Sequence, residues 1–385
     1  MTVKKQNQME LDIGEWGDGA AKSVTFQVTE RCQLNCGYCY FPEKSKKNIL
    51  DLDIARRTID YLLNERIEFP EKAVIFDFIG GEPFLEIELI DKICDYFKKS
   101  AYLNNHPWFN AYRFSFSTNG LLYQDAKVQK FIMKNLTHLD ISVSIDGTKR
   151  KHDMQRKFAD GRGSYDEVVR IVPLWLKQFP NASTKATVSS EDLPFVQESV
   201  LHLFELNIKY VNINVVFEDV WKENDDLLFE EQLKLLADEI IDRKLYRNHA
   251  CSFFNRGIGT PNKNNGNWCG SGKMLAIDYT GNFYPCIRFT PCSLKNKPAR
   301  AIGNCYDRID KNLQRAFLAL TMSTQSSEKC IECEVATGCS WCQGFNYDDA
   351  DSDTIYQRAT YLCEMHKARV RANKYFWQRY DKEAI

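Results

Sequence analysis

The first half of the chain alternates short apolar runs with longer segments of helical periodicity. The apolar runs are rich in β-branched and aromatic residues, as strands are, and they occupy residues 23–29, 73–79, 113–117, 139–145, 184–188 and 210–216. Apolar residues recur with a helical period in the segments 51–65, 89–99, 165–179 and 193–206. Strand followed by helix, repeated in this way, is typical of a parallel sheet with crossover helices. Six units fall short of the eight that close a full barrel, so the pattern predicts an α/β fold with a partial (β/α)6 TIM-like barrel.

The pattern changes after this repeat. A further amphipathic helix is predicted near residues 227–245, and residues 256–271 are then rich in Gly and Asn, which indicates a linker. Beyond it, residues 274–287 predict a β-hairpin with its turn at Thr280-Gly281-Asn282, and residues 355–380 predict a helix. These boundaries divide the chain into an N-terminal arm (1–22), a partial barrel (23–225), a connecting helix and linker (226–268) and a small cysteine-rich α+β domain that ends in a helix (269–385).

Charge and composition narrow the choice of partners and compartment. The 51 basic and 52 acidic residues give a net charge of −1, which offers no electrostatic reason to expect nucleic acid or an anionic membrane as partner. The N-terminus lacks the apolar core of a signal peptide, and no apolar run approaches a membrane span. We therefore expect a cytoplasmic protein. In a reducing compartment its 14 cysteines are more readily explained as metal ligands than as disulfides.

The first group of cysteines directly follows the first predicted strand. Cys32, Cys36 and Cys39 form a Cys-x3-Cys-x2-Cys loop. Three thiolates at this spacing can each hold a different iron of one 4Fe–4S cubane and leave the fourth iron open for a ligand. A zinc knuckle is the alternative, but zinc takes four ligands, usually from Cys-x2-Cys pairs, and no fourth Cys or His lies nearby in the sequence.

This loop, its place after the first strand and Tyr38 before its third cysteine resemble the radical S-adenosylmethionine (SAM) superfamily. The resemblance implies that SAM binds the open iron and is cleaved to a 5′-deoxyadenosyl radical, which takes hydrogen from a substrate. Motifs that end later strands fit the same family: Gly80-Gly81-Glu82-Pro83, Ser117-Thr118-Asn119-Gly120 and Ser144-Ile145-Asp146-Gly147. The resemblance assigns SAM contacts to Tyr38, Gly80, Gly81, Glu82, Asn119, Ser144 and Arg156, with Arg156 paired to the SAM carboxylate.

A second set of cysteines lies in the C-terminal part, at Cys269, Cys286, Cys330, Cys333, Cys339, Cys342 and Cys363. Their spacing resembles the seven-cysteine SPASM domain, which implies two auxiliary 4Fe–4S clusters and thus three clusters in the chain. Only Ser340 and Trp341 separate the last two cysteines of the central run, where the family usually has three residues. The family pattern assigns Cys330, Cys333, Cys339 and Cys363 to one cluster and leaves Cys269, Cys286 and Cys342 one ligand short. Either Cys251 supplies the eighth ligand, or one iron stays open for a substrate thiolate. A pair of zinc ribbons is the alternative, although seven cysteines do not fill two four-ligand zinc sites.

Three stretches, 76–97, 267–290 and 338–348, resemble maturases of precursor peptides with repeated Cys-x-x-x units (ranthipeptides of the freyrasin type). This resemblance implies an enzyme that joins a cysteine sulfur to a carbon of a ribosomally made peptide as a thioether. An auxiliary cluster would accept the electron that leaves when the bond forms. The implied partners are a Cys-containing precursor peptide and an electron donor such as flavodoxin or ferredoxin.

Two further observations limit this interpretation. Sulfatase-maturating members of the family carry an Asp directly after the second SPASM cysteine, whereas this chain has Ile287 there; its neighbour Arg288 is a candidate contact for an acidic residue of the peptide. The residues before the first strand are too few for a fused leader-binding domain, so we expect the leader to bind the barrel surface or a separate leader-binding protein. The remaining alternatives are a SPASM enzyme that forms carbon–carbon crosslinks or another modification, and a non-catalytic zinc-binding interaction protein.

Overall fold

The computed structural model describes residues 20–41, 44–262, 265–266 and 269–383. Residues 1–19 of the expected N-terminal arm lie outside the described residues. The same holds for residues 263–264 and 267–268 of the expected linker.

The six predicted strands form the centre of one sheet and follow one another in chain order. They are β1 (Ala21–Thr29), β2 (Ala73–Gly80), β3 (Tyr112–Thr118), β4 (Leu139–Ser144), β5 (Ser183–Val188) and β6 (Tyr210–Val215). Each strand pairs in parallel with the next, from Thr25 opposite Asp77 to Val188 opposite Val215. The repeat therefore forms the partial barrel that its pattern predicts. In such folds the loops at the carboxyl ends of the strands carry the chemistry.

Helices lie between and after these strands. They are α1 (Leu52–Asn64), α2 (Ile87–Leu103), α3 (Ala126–Asn135), α4 (Lys149–Gln155), α5 (Tyr165–Val169), α6 (Val172–Gln178), α7 (Val196–Glu205), α8 (Asp225–Asp242), α9 (Lys311–Leu318), α10 (Met322–Gln325), α11 (Glu328–Ile331), α12 (Gln343–Asp349) and α13 (Cys363–Glu383). Within the described ranges, none of them combines the length and the apolar character that a membrane crossing needs.

Three of the differences between the helix predictions and the structure have a local explanation or concern a boundary. Segment 165–179 forms two helices, α5 and α6, because Pro173 in the first turn of α6 has no N–H to continue a helix from α5. Helix α4 was not predicted, because its sequence KRKHDMQ has no apolar stripe and its buried residues are Lys151 and His152. The C-terminal helix begins at Cys363, so residues 355–362 of the segment predicted as helical are not part of it.

Five short strands extend the sheet at both edges. They are β7 (Ala250–Cys251), which pairs with β6, and β8 (Leu275–Ile277), β9 (Asn282–Tyr284), β10 (Gly303–Asn304) and β11 (Arg308–Ile309), which follow one another outward from β1. Strands β8 and β9 form the predicted hairpin, and Gly281 takes the left-handed conformation of its turn, with φ of +87°. Because Val24 of β1 lies opposite Leu275 of β8, the cysteine-rich region is built onto the sheet of the barrel.

The long helix α13 ties the end of the chain to the barrel by packing against α8. The Tyr375 hydroxyl donates to Asp238 at 2.7 Å, and Arg379 donates to Asp242 at 2.7 Å. Arg371 pairs with Asp226 of α8 at 3.4 Å. This packing holds the amino end of α13, where Cys363 lies, in a fixed place beside the barrel.

The two faces of the sheet differ in polarity. Apolar side chains such as Phe26, Phe78 and Phe114 are completely buried on the face covered by the helices. The opposite face carries polar residues, and there the Ser23 hydroxyl donates to the Asp77 carboxylate at 3.2 Å. The interior of this partial barrel is therefore polar, unlike the packed apolar layers of a closed barrel.

Candidate functional site

The first cysteine loop is held in place by the chain segment that follows α4. The backbone N–H of Asn35 donates to the Lys157 carbonyl at 2.7 Å, and that of Gly37 donates to the Gln155 carbonyl at 3.0 Å. Burial raises the pKa of the Cys32 thiol to about 11 and also raises the pKa of Cys36. These thiols therefore need a nearby cation to become thiolates at neutral pH, which coordination to iron provides.

The two glycines at the end of β2 let this strand meet the start of the cysteine loop. The Gly81 N–H donates to the Thr29 carbonyl at 3.0 Å. A Cβ atom on Gly80 would come within 2.0 Å of the Thr29 carbonyl oxygen, and one on Gly81 within 2.2 Å of the Arg31 carbonyl oxygen. The close approach that these glycines permit in the structure is thus between two backbone segments. Their contact with SAM stays a prediction.

The carboxylate of Glu82 is buried, and its hydrogen bonds lie within the protein. It accepts from the Thr118 hydroxyl at 2.7 Å, from the Asn119 N–H at 2.7 Å and from the Phe84 N–H at 3.2 Å. Burial raises the pKa of this carboxyl. Glu82 therefore fastens the end of β2 to the end of β3. In this arrangement it positions Asn119, whose side-chain amide donates to Gln33 at 3.1 Å beside Cys32.

Tyr38 and Arg156, which the sequence analysis named separately, belong to one buried network. The Tyr38 hydroxyl donates to Asp146 at 2.5 Å, and Arg156 donates to the Tyr38 oxygen at 2.9 Å. Asp146 is completely buried and also accepts from the Thr187 N–H at 3.1 Å. Although burial opposes ionisation, the charges of Lys151 and Arg156 hold the pKa of Asp146 below its ordinary value. Asp146 was not among the site residues predicted from the sequence, although it belongs to the Ser-Ile-Asp-Gly motif that ends β4.

One hydrogen-bond donor of Arg156 is unused within the described residues. Its Nε atom is buried and has no hydrogen-bond partner among the described residues, which leaves a cationic donor beside Cys36 and Tyr38. A buried charged donor of this kind suits an anionic ligand group such as the SAM carboxylate. Ser144 ends β4, is partly exposed and lies opposite Lys185 of β5. The donors near the first cysteine loop thus fit the cofactor that the sequence motifs imply.

Three C-terminal cysteines form what we call the first auxiliary group: Cys269, Cys286 and Cys342. Burial raises the pKa of Cys286, and the neighbouring Cys269 and Cys342 raise it further. Arg288 lies beside this group, because it donates a hydrogen bond to Cys342. The structure thus brings Cys269, Cys286 and Cys342 together, and their role as ligands of one cluster stays a prediction.

The other four cysteines form the second auxiliary group: Cys330, Cys333, Cys339 and Cys363. All four line one cavity of about 460 Å³. The Arg358 guanidinium also lines this cavity, donates to Cys339 Sγ at 3.0 Å and stacks on Trp341 at 4.4 Å. The four thiols therefore lie around a shared space, as the ligands of a 4Fe–4S cluster would.

Cys251 lies in β7, a strand at the edge of the sheet. It is buried in β7, where it pairs with Val211 of β6. Burial raises the pKa of its thiol to about 12, and the groups that act on this thiol in the described structure are the Phe253 N–H and Arg369. The second cysteine near Arg369 is Cys339 of the second auxiliary group. Arg369 thus lies beside both Cys251 and a cysteine of the second auxiliary group, and a ligand role for Cys251 stays a prediction.

Arg288 already has partners within the protein. It pairs with Glu218 at 3.4 Å, lies 5.1 Å from the centre of the Tyr40 ring and donates a hydrogen bond to Cys342. Burial, the Cys39 thiol and other neighbours raise the pKa of Tyr40. Tyr40 and Arg288 thus lie between the first cysteine loop and the first auxiliary group. The sequence analysis missed Glu218 because only the folded chain brings it to this place.

A second cavity, of about 300 Å³, opens beside these residues. Its walls include Tyr38 and Cys39 of the first cysteine loop, Gln155 at the end of α4, and Glu218 beyond the end of β6. Lys222 and Lys295 also line it. This cavity, called the central cavity below, has the size of a small-ligand site, and it joins the first cysteine loop to the carboxylate that pairs with Arg288.

The motif positions agree with comparisons to known proteins. A match to the radical SAM superfamily covers residues 26–189. The uncharacterized protein MJ0907 of Methanocaldococcus jannaschii is 30% identical over 270 residues, which are 69% of this chain and 84% of that protein. The cysteine-type anaerobic sulfatase-maturating enzyme of Clostridium perfringens is 23% identical over 87% of this chain and 91% of its own length.

A solved structure has the same fold. The structure of anSMEcpe with bound AdoMet and the Kp18Cys peptide superposes with a TM-score of 0.70 at 21% identity, covering 94% of this chain and 99% of the other. The cofactors that the superfamily implies are SAM and one 4Fe–4S cluster. This membership sets aside the alternative of a non-catalytic zinc-binding protein. The chain belongs to the radical SAM superfamily and is an enzyme.

Proposed function

We propose that this enzyme is a peptide maturase that joins cysteine sulfur to carbon, forming thioether crosslinks in a ribosomally made precursor. In this proposal the first auxiliary group holds a 4Fe–4S cluster with one iron open to the substrate thiolate. The second auxiliary group holds a complete 4Fe–4S cluster. The chain then contains three clusters, counting the one at Cys32, Cys36 and Cys39.

The observation that carries the proposal is the unequal number of cysteines in the two auxiliary groups. A cubane has four irons, and the first auxiliary group offers three thiolates. Cys251, the candidate for the missing ligand, lies in β7 beside Arg369. An iron without a protein ligand is free to bind an external thiolate, the nucleophilic form of cysteine.

The protein residues near the first cysteine loop would bind and orient the cofactor. SAM, when bound to its cluster, supplies a radical that takes one hydrogen atom from the acceptor carbon. Arg156 would pair with the SAM carboxylate through its unused Nε donor, while Asp146 and Tyr38 hold the guanidinium in place. Gly80, Gly81, Asn119 and Ser144 would contact the rest of the cofactor.

The substrate in this proposal is a Cys-containing peptide in the central cavity, between the two cysteine sites. The peptide held by anSMEcpe supports the choice of a peptide substrate for this fold. A one-electron protein such as flavodoxin or ferredoxin would supply the reducing electron. A separate leader-binding protein would complete the set of partners, and we place the enzyme in the cytoplasm.

The test is anaerobic co-expression with the short cysteine-rich reading frame nearest the gene. The intact mass of the peptide is then recorded before and after alkylation of its thiols. A thioether maturase removes two hydrogens per crosslink, and the same number of cysteines resists alkylation. The same mass loss with every cysteine still alkylated would reject the thioether proposal in favour of a carbon–carbon crosslink.

A further inference from the structure

The carboxylate of Glu218 lies where the thiol chemistry of the proposed reaction would occur. It lines the central cavity together with Tyr38 and Cys39. It also pairs with Arg288 at 3.4 Å, and Arg288 bonds Cys342 of the first auxiliary group. Arg288 therefore connects Glu218 to the first auxiliary group. Glu218 itself lines the central cavity beside the first cysteine loop.

The ion pair holds the Glu218 carboxylate in place beside the central cavity. A carboxylate has two acceptor oxygens, so the pair with Arg288 leaves acceptor capacity for a group bound in the cavity. The Glu218 side chain is 32% exposed and that of Arg288 is 17% exposed. Part of the Glu218 side chain therefore reaches solvent, while its partner lies against Tyr40 and Cys342.

Other polar groups of the central cavity are less suited to this task. The Tyr38 hydroxyl is engaged with Asp146 and Arg156. Lys222 and Lys295 carry ammonium groups, which donate protons and do not accept them when charged. Glu191 also lines the cavity, but it lies on the segment Ser190–Phe195 that leads into α7, whereas Glu218 pairs with Arg288 beside the first auxiliary group.

Thioether formation must release one proton and one electron for each crosslink. The acceptor C–H bond breaks and gives its hydrogen atom to the 5′-deoxyadenosyl radical. The substrate S–H bond breaks and releases a proton, the sulfur and the carbon form a bond, and one electron leaves to an iron–sulfur cluster of the auxiliary domain. A one-electron carrier protein then takes that electron from the enzyme.

We infer that Glu218 is a catalytic residue that accepts the proton of the substrate cysteine thiol and passes it to solvent. This inference rests on the proposed thioether function and specifies which residue of the chain performs its proton step. Arg288 is a positioning residue that aims the carboxylate at the first auxiliary group.

The test compares Glu218→Gln with Glu239→Gln. Glu239 of α8 pairs with Arg243, the residue directly after this helix, at the same 3.4 Å separation, so this control removes an equivalent carboxylate–guanidinium pair from another part of the protein. Crosslinked peptide and 5′-deoxyadenosine are measured in the same anaerobic reaction, and iron per chain is measured for each variant. Glu218→Asp tests for partial recovery, and added acetate tests for chemical rescue of Glu218→Ala.

We expect Glu218→Gln to form crosslinks about 100-fold more slowly or worse, the lower range for loss of a general base. Its iron content and its rate of 5′-deoxyadenosine formation should stay within threefold of wild type. Glu239→Gln should match wild type in all three measurements, and acetate should restore part of the activity of Glu218→Ala.

Crosslinking by Glu218→Gln within threefold of wild type would overturn the inference and leave the proposed function standing. Loss of iron or of SAM cleavage together with crosslinking would also overturn it, because the role of Glu218 would then be structural. A wild-type product in which every cysteine still reacts with alkylating agent would instead reject the thioether function, and the inference with it.

Discussion

The two auxiliary groups contain the same kind of ligand, yet their surroundings differ. The second auxiliary group has four cysteines around a cavity of about 460 Å³, enough to complete a cubane. The first auxiliary group has three, and its neighbour Arg288 pairs with a carboxylate of the central cavity. The number of thiols and the identity of the adjacent charge together suggest different tasks: substrate binding at the first group and electron transfer at the second.

Each group also has one arginine beside a sulfur, but the two arginines are held differently. Arg358 donates to Cys339 at 3.0 Å and to Ser326 at 3.5 Å, and it stacks on Trp341. Arg288 connects Cys342 to Glu218 and Tyr40. A substitution of Arg358 should therefore change a cluster property, whereas one of Arg288 should change how substrate and cluster meet.

The strongest expected effect is the loss of a ligand from the first auxiliary group. We expect Cys286→Ala to reduce crosslinking by more than roughly 100-fold, because losing a direct ligand costs more than losing an outer contact. Iron per chain should fall by one cluster, while the first cysteine loop still cleaves SAM. The measurements are crosslinked peptide, 5′-deoxyadenosine and iron. A variant with full iron and normal crosslinking would remove the distinction between the two groups.

A smaller effect is expected for Arg288→Met, which keeps much of the apolar bulk and removes the charge. Crosslinking should fall about 10-fold to 100-fold, the usual range for a residue that orients a ligand, with iron unchanged. Arg243→Met, at the exposed residue directly after α8, is the control. An Arg288→Met enzyme that crosslinks like the control would show that the Glu218–Arg288 pair has no part in the reaction.

Arg358→Met should alter the potential of the second auxiliary cluster. Removing a positive hydrogen-bond donor from a cluster sulfur lowers the reduction potential; we expect a decrease of about 60 mV, a tenfold change for one electron. Electron paramagnetic resonance during a redox titration measures it. Arg358→Lys should lie between the two, and an unchanged potential in both variants would separate Arg358 from the cluster.

The smallest expected effect is that of Cys251→Ala. Because Cys251 is packed in the core at β7, removing its sulfur should lower the free energy of unfolding by about 1 kcal/mol. Iron per chain and crosslinking should be unchanged. The two measurements are chemical denaturation and iron analysis. Loss of one cluster in this variant would make Cys251 the eighth ligand and close the first auxiliary cluster to substrate.

Local patterns were enough to predict most of the fold. The strands from β1 to β6 and the hairpin of β8 and β9 have the period and turn residues that specify them. Helix α4 escaped prediction because the residues it buries, Lys151 and His152, are polar. The pairing of β8 with β1 depends on contacts between residues about 250 positions apart, which no local pattern contains.

The candidate site follows the same division. Cysteine spacing predicts the ligands, because several of the cysteines lie close together in sequence. The role of Glu82 in joining β2 to β3, the Asp146 link between Tyr38 and Arg156, and the Glu218–Arg288 pair all arise from separate strands. These contacts join residues that are far apart in the sequence, so they can be found only in the folded structure.

The central claim is that the first auxiliary group binds the substrate thiol, and spectroscopy of the peptide complex tests it most directly. The enzyme variant with Cys32, Cys36 and Cys39 all changed to Ala has only the auxiliary sites. Its reduced form is examined by electron paramagnetic resonance with a Cys-containing precursor and with the same peptide carrying Ser instead. We predict that the Cys peptide changes the signal of one auxiliary cluster and the Ser peptide does not. Identical spectra with both peptides at saturating concentration would contradict the claim.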